Sequence, residues 1–307
     1  MPGNDGKGLL LAFVAALISG VSVFVNGAAV KLSDPVIYTT LKNTGALVFL
    51  AAIVFAFSEL RYFRGLTRKQ WAMLVLVGII GGSVPFMMFF WGLKLGGAAV
   101  SSFLYRSLFI FAGAAGFLLL REKPSVRDLA AGLVMLAGNA LLVSGALVFG
   151  AGQLLVLGAT ALWATEYTLS RKLMADIHPR VVMVSRMLFG SLVLFASLGM
   201  NGSAGSIVTV DAGMLLWLFV TSSLLCGFIM SWYSSLKHLP VFTASSILAL
   251  GGIVTAVLDS AFLGKAFSLA DAFGLLLILI GVAAMVGISR LVASFSKAKE
   301  ALPGLVR

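Results

Sequence analysis

Long apolar runs dominate the 307-residue sequence, and short segments that carry most of the charged residues separate them. A helix needs about 20 mostly apolar residues to cross a bilayer, and most of these runs have about that length. Only 11% of the residues are charged, against about 25% in an ordinary globular protein. So few polar groups cannot cover the surface of a soluble protein of this size. The sequence therefore predicts a polytopic membrane protein surrounded by a lipid bilayer.

Ten membrane-spanning helices are expected, so the predicted fold class is all-α. No run shows the alternation of apolar and polar residues that a membrane β-barrel requires. The connections are mostly short, so neighbouring helices are expected to be antiparallel. The expected spans are residues 8–30, 36–58, 71–92, 97–120, 128–148, 150–172, 180–199, 212–235, 241–263 and 271–291.

The distribution of positive charge predicts how the chain is oriented. If the N-terminus is cytoplasmic, 16 of the 22 Lys and Arg residues fall in cytoplasmic segments and three in outer loops. This asymmetry is the positive-inside pattern. The net charge of +11 is spread between spans and not clustered on one solvated face, so nucleic-acid binding is not expected. We expect an integral protein of the plasma (inner) membrane with both termini in the cytoplasm.

The two halves of the sequence resemble each other at an offset of 144 residues. Each half has five expected spans, an odd number, so the halves must have opposite orientations in the membrane, as in many secondary transporters. We expect a 5+5 inverted-topology repeat in one membrane unit, with the halves at residues 1–148 and 149–307. The matched positions are Pro35 and Pro179, Lys42 and Arg186, and the pairs Ser101-Ser102 and Ser245-Ser246.

Two segments carry a resemblance to a known family. The junction of the fourth and fifth spans has an acid at Glu122, a small polar residue at Ser125 and a glycine in the next span at Gly132. A Trp-Ala pair stands at Trp163 and Ala164 in the sixth span. With these features the chain resembles EamA-type members of the drug/metabolite transporter superfamily over nearly its whole length. The resemblance implies transport of small metabolites, often the export of amino acids.

Ionisable side chains inside the spans are candidates for function, because they are costly unless they face protein or a wet cavity. Arg106 lies near the middle of the fourth span, close to Ser102 and Tyr105, and its guanidinium suits a carboxylate or a phosphate. A structural role is the alternative for each of these residues, with Arg186 paired to Glu166 and Lys42 to Asp259. The five residues are Lys42, Arg106, Glu166, Arg186 and Asp259.

Polar and aromatic stripes predict a central cavity. Residues spaced i, i+3, i+4 and i+7 share one helix face. Gly81, Gly82 and Pro85 would allow the third span to bend, with helix packing as the favoured role of its glycines. The sixth span carries Trp163, Glu166, Tyr167 and Ser170, the first span has Ser19, Ser22, Val23 and Asn26 at the corresponding places, and the third has Ser83, Met87 and Trp91. Helix packing is the alternative for any single residue. The expected lining is Arg106, Ser102, Tyr105, Trp163, Glu166, Tyr167, Ser19, Asn26, Met87, Trp91 and Lys42.

The leading interpretation is a secondary transporter of amino acids or related small molecules that exports them by alternating access. There is no GxxxxGK[ST] loop, no HExxH motif and only one cysteine, Cys226, so neither an enzyme, a metal site nor a cofactor is expected. Phosphorylated or nucleotide-sugar anions remain an alternative substrate class, because intramembrane cations outnumber acids. A membrane-embedded scaffold without transport is another alternative, and the chain is either a monomer or a homodimer.

The expected topology can be tested with single cysteines in a Cys226→Ser background. A cysteine at Asn201 should react with an impermeant thiol reagent in intact cells, because that position lies in an expected outer loop. Cysteines at Arg64 and Arg171 should react only after the membrane is opened, since cytoplasmic loops hold the excess of positive charge. Labelling of Arg64 or Arg171 in intact cells, with none at Asn201, would contradict this orientation.

Overall fold

The computed structural model describes residues 5–29, 34–96, 98–142, 150–200, 212–264, 266 and 268–287. In these residues the chain is helical without a strand, which confirms the all-α fold class. The first half contains α1 (Asp5–Ala29), α2 (Pro35–Ala56), a 3-10 helix (Glu59–Phe63), α3 (Arg68–Gly82), α4 (Val84–Gly96), α5 (Ala98–Arg106), α6 (Leu108–Leu120) and α7 (Val126–Leu141). The second contains α8 (Ala151–Leu173), α9 (Pro179–Met200), α10 (Ala212–Leu236), α11 (Val241–Leu248), α12 (Gly251–Leu263) and α13 (Leu269–Val286).

Eight helical segments of the described chain are long and apolar enough to cross a membrane by length and composition. The other two expected spans correspond to α7, which has 16 residues, and to α8, which has 23 residues but is more polar. Gln153, Thr160, Glu166, Thr168 and Ser170 of α8 are buried between other helices. Large apolar side chains cover the outside of the bundle; Phe55 and Leu118 are 75% and 73% exposed. An apolar exterior of this kind suits lipid tails.

Reciprocal caps begin the last helix of each half. The Ser125 hydroxyl accepts a hydrogen bond from the Asp128 backbone N–H, and the Asp128 carboxylate accepts one from the Ser125 N–H. Ser268 and Asp271 make the same pair of bonds before α13. These caps satisfy N–H groups that the first helical turn leaves open. The two halves therefore share this local feature as well as their helix order.

Three of the expected spans are each built from two helices. The third breaks at Ser83, between the glycines and the proline that would allow a bend, and α4 follows directly. The fourth breaks at Ser107, between α5 and α6, and the ninth between α11 and α12. The first residues of α6 and α12, Leu108 and Gly251, are within one residue of the 144-residue offset. The two breaks thus belong to the internal repeat.

The packing of the helices is the same when the two halves are exchanged. Helix α1 packs on α10, α11 and α12 of the second half, and α8 packs on α4, α5 and α6 of the first. Helix α2 contacts α9, and α7 contacts α13, so these counterparts also meet each other. Because these contacts join the halves, the bundle is one structural unit. The expected boundary between residues 148 and 149 lies outside the described residues.

Helices α3 and α9 approach each other most closely at two glycines. A Cβ atom on Gly190 would lie 2.6 Å from the backbone of Gly82, and one on Gly82 would lie 2.3 Å from the Arg186 carbonyl oxygen. No side chain fits between the two backbones. This approach places Arg186 of α9 beside the end of α3, where the functional groups described below meet.

We predict that Gly190→Ala lowers stability, because the added methyl group would push α9 away from α3. Overpacking of this kind typically costs about 1–3 kcal/mol, which thermal unfolding in detergent will detect. Gly199→Ala is the matched control in the same helix, because a Cβ there meets no atom within 4 Å. Equal unfolding temperatures for the two variants would contradict the close approach.

Candidate functional site

A cavity lies among helices from both halves, with room on the order of ten water-sized groups. Its volume is about 110 Å³, counted as the space that the centres of water molecules can reach. It extends from the middle of the bundle toward the end where α1 finishes and α2 begins. Its lining is formed by Ser19, Ser22, Val23, Asn26, Gly27, Lys42, Phe86, Phe89, Phe90, Leu93, Tyr105, Trp163, Tyr167, Arg186, Leu225 and Phe228.

One face of α4 supplies the largest aromatic wall of the cavity. Phe86, Phe89, Phe90 and Leu93 follow the spacing i, i+3, i+4 and i+7, so they share one face of the helix. The Phe86 ring meets the Trp163 ring edge to face, with centroids 5.1 Å apart. Such ring pairs hold their geometry better than aliphatic contacts do. The wall therefore offers a firm apolar surface to a ligand.

Lys42 is a buried cation at this cavity, only 3% exposed. Its ammonium lies 4.6 Å from the centroid of the Phe90 ring and 5.2 Å from that of Phe86. It also donates a hydrogen bond of 3.4 Å to the Asn26 side-chain oxygen, which accepts a second bond of 2.5 Å from Tyr38. No carboxylate of the described residues lies within ion-pairing distance of this ammonium. Its surroundings are neutral acceptors and ring faces.

The break after α3 creates the polar centre of the site. Pro85 has no backbone N–H, so it cannot bond the Gly81 carbonyl four residues earlier. The freed carbonyl instead accepts hydrogen bonds from the Trp163 indole, at 3.1 Å, and from the Arg186 guanidinium, at 2.7 Å. The proline thus orients both a cavity-lining tryptophan and an arginine of the other half.

Glu166 is fully buried and completes this centre. Its carboxylate accepts hydrogen bonds from Ser170 at 2.5 Å, from Tyr233 at 2.6 Å and from the Arg186 Nε at 3.3 Å. A Cβ on Gly81 would lie 2.4 Å from the Glu166 side chain, so the glycine leaves room for the acid. The predicted pairing of Arg186 with Glu166 is confirmed. Arg186 is therefore neutralised within the protein, whereas Lys42 is not.

The structure brings together only part of the expected lining. The side chain of Ser102 lies outside the described residues. Glu166 lies behind the cavity wall, in its network with Arg186. Six expected residues line the cavity, namely Ser19, Asn26, Lys42, Tyr105, Trp163 and Tyr167. Four described residues, Glu166, Arg106, Met87 and Trp91, are not among its lining.

Met87 and Trp91 lie on other faces of α4. Met87 packs against Val36, Ile37 and Leu198, and Trp91 is 38% exposed on the outer surface. The expectation that they line the cavity was wrong because the stripe with Ser83 was traced through one continuous helix. The helix breaks at Ser83, and a repeat of four residues drifts around a helix with 3.6 residues per turn. The phenylalanine face of α4, at helical spacing, was the signal that sequence analysis missed.

Arg106 ends α5 at the break in the fourth span. Its guanidinium packs against Gly252 of α12, where a Cβ would lie 2.6 Å from it. Asp259 lies further along the same helix, and its charge acts on the guanidinium. The expected pairing of Asp259 with Lys42 is not among the ion pairs of the described residues. This environment favours a structural role at the contact between the two broken spans.

Contacts at the opposite end of the bundle close the cavity from that side. Arg180 pairs with Glu59 at 3.4 Å, and the rings of Tyr62 and His178 stack with centroids 3.8 Å apart. Burial lowers the pKa of the His178 imidazole, which favours the neutral form in the stack. These contacts join the 3-10 helix to the start of α9.

A second ion pair lies at the same end of the bundle. Glu122, the acid that carries part of the family resemblance, pairs with Arg171 of α8. Both side chains are partly exposed, at 19% and 26%. Glu122 therefore ties the end of the fourth span to the other half, and it lies away from the cavity.

Comparison with known proteins agrees with this architecture. The profile of the EamA-like transporter family matches residues 6–144 and again residues 150–287. A solved structure titled "Crystal structure of protein" superposes with a TM-score of 0.74 at 18% sequence identity, covering 93% of this chain and 98% of that one. This likeness shows a shared fold. No curated protein matches the chain in sequence.

We predict that Glu166→Gln strongly destabilises the protein, because it leaves the Arg186 charge buried without its acid. Breaking a buried pair in this way typically costs about 3–5 kcal/mol. The double variant Glu166→Gln, Arg186→Met should recover much of that loss, since neither residue of the pair is then charged. Glu122→Gln is the control, because its partly exposed pair is worth about 1 kcal/mol or less. Thermal unfolding in detergent would contradict the network if both glutamate variants behaved alike.

Proposed function

The chain belongs to the EamA-like transporter family and is a membrane transporter of small molecules. We propose that its substrate is a small carboxylate with an apolar body. Amino acids or closely related compounds are the proposed class, and the carboxylate binds beside Lys42. Export across the plasma membrane, with both termini in the cytoplasm, is part of this proposal.

The observation that carries the proposal is the difference between the two buried cations of the cavity. Arg186 already has the Glu166 carboxylate, whereas Lys42 has only the Asn26 oxygen and aromatic rings. A cation buried without a counter-charge is costly, and an anionic ligand removes that cost. A substrate carboxylate therefore gains more at Lys42 than at any other described group of the wall.

The charge and size of the cavity favour a ligand with one carboxylate group over phosphorylated substrates. One of its two cations is neutralised internally, which leaves a single positive charge for the ligand. Phosphate esters carry close to two negative charges at neutral pH, and a nucleotide sugar is several times larger than an amino acid. The volume of about 110 Å³ suits the smaller class. The aromatic wall of α4 then receives the apolar part of the substrate.

The two-half architecture supports alternating access as the mechanism. The cavity reaches Gly27 and Leu93 near one end of the bundle, while the Glu59–Arg180 and Tyr62–His178 contacts close the other. Exchanging the conformations of two inverted halves moves such an opening to the opposite side. The equivalent breaks in the fourth and ninth spans provide points at which the helices can bend.

We predict that Lys42→Gln weakens the binding of carboxylate substrates by about 10- to 100-fold, the usual worth of a hydrogen bond to a charged group. Counterflow in proteoliposomes with pairs of amino acids and their amides provides the measurement. The preference of wild type for the amino acid should disappear in the variant. Lys94→Gln is the matched control, because Lys94 also lies over an aromatic ring, that of Trp91, but outside the cavity. An unchanged preference in Lys42→Gln would contradict the proposal.

A further inference from the structure

The cavity contains two cation sites that the internal repeat relates to each other. The offset of 144 residues that joins Lys42 to Arg186 also joins Ser22 to Glu166 and Asn26 to Ser170. On α1 and on α8, each pair lies four residues apart on one helix face. The two sites therefore have the same framework, and the acid of the second half is a serine in the first.

The hydrogen bonds of the two sites correspond in detail. In the second half, Ser170 donates to the Glu166 carboxylate, and Arg186 donates to the same carboxylate. In the first half, the Asn26 amide donates to the Ser22 hydroxyl at 2.9 Å. Lys42 reaches only Asn26, at 3.4 Å. The contact between positions 22 and 26 is thus kept, while the carboxylate that should face the cation is missing.

The place of the missing carboxylate belongs to the cavity. Gly81 and Tyr233 surround Glu166 in the second half, and their counterparts at the same offset are Leu225 and Phe89. Both counterparts line the cavity, as does Ser22 itself. In the second half the Glu166 side chain fills this place. In the first half the cavity borders the shorter Ser22 side chain, near Lys42.

We propose that the substrate carboxylate binds beside Ser22, in the place that corresponds to the Glu166 carboxylate, and pairs there with Lys42. This inference rests on the proposed function and assigns the position of the anionic group within the same site. Ser22 is then the residue that determines specificity for an acid, because a longer acidic residue there would supply the anion from the protein. Its hydroxyl accepts a hydrogen bond from the Asn26 amide, so its own O–H can donate to the bound carboxylate.

The same geometry links substrate binding to closure of this end of the bundle. In the second half, the contacts of Glu166 with Arg186, Ser170 and Tyr233 hold α8, α9 and α10 together. A substrate carboxylate would join the corresponding helices of the first half, α1, α2 and the α3–α4 span. The bound anion thus completes a set of contacts that the empty site lacks.

The test compares Ser22→Glu with Ser22→Gln, which has nearly the same size but no charge. The probes are the twenty amino acids and their amides, and the readout is the ligand-induced shift of the unfolding temperature in detergent, with affinities from titration. Wild type should prefer the acid over the amide by about tenfold or more. Ser22→Glu should lose this preference or reverse it, because the new carboxylate pairs with Lys42. Ser22→Gln should keep the preference even if both ligands bind more weakly.

The outcomes separate this inference from the proposed function. If wild type prefers the acid and both Ser22 variants keep that preference, or both lose it, the inference is overturned and the proposed substrate class stands. If wild type binds no acid better than its amide, both are overturned. Ser22→Asp and Ser22→Asn form a second pair with the same expected contrast, for use if the longer side chains prevent folding.

Discussion

The buried pair of Glu166 and Arg186 is the interaction on which the centre of this protein depends. Charges this deep in an apolar bundle are stable only when every donor and acceptor has a partner. The Gly81 carbonyl, which Pro85 leaves free, supplies the partner for the arginine, and the glycine itself makes room for the acid. A single break in the third span thus allows a charged network to form between the two halves and beside the cavity.

The function that we propose for the cavity follows from a difference between halves that share one framework. Both halves place a cation at the same position of their second span, Lys42 in one and Arg186 in the other. Only the second half supplies an acid to its cation. This asymmetry leaves one positive charge for a ligand, with an aromatic wall next to it. A symmetric pair of closed sites would leave no charge for a substrate, so the asymmetry is what favours an anion.

Much of the fold could be predicted, because membrane insertion imposes a simple pattern on the sequence. The apolar runs predicted the helices, and the 144-residue offset predicted two related halves, each of which the family profile matches. The breaks at Ser107 and before Gly251 could not be predicted, because neither segment contains a proline. Of the candidate site, the predicted stripe of α1 lines the cavity, whereas α8 contributes Trp163 and Tyr167 and keeps Glu166 behind the wall. The stripe through Met87 and Trp91 failed because a break resets the rotation of the helix.

The membrane class, the helix order, the repeat and the charged residues inside the spans can all be read from the amino-acid sequence. Which of those charges lie at the cavity depends on how the helices pack. In the sequence, Arg106 lies nearest the middle of its span, yet its guanidinium packs on Gly252 and is affected by the charge of Asp259. Lys42, by contrast, faces the cavity. The reason is physical: the cost of a buried charge depends on its neighbours, and these come from helices that are remote in sequence.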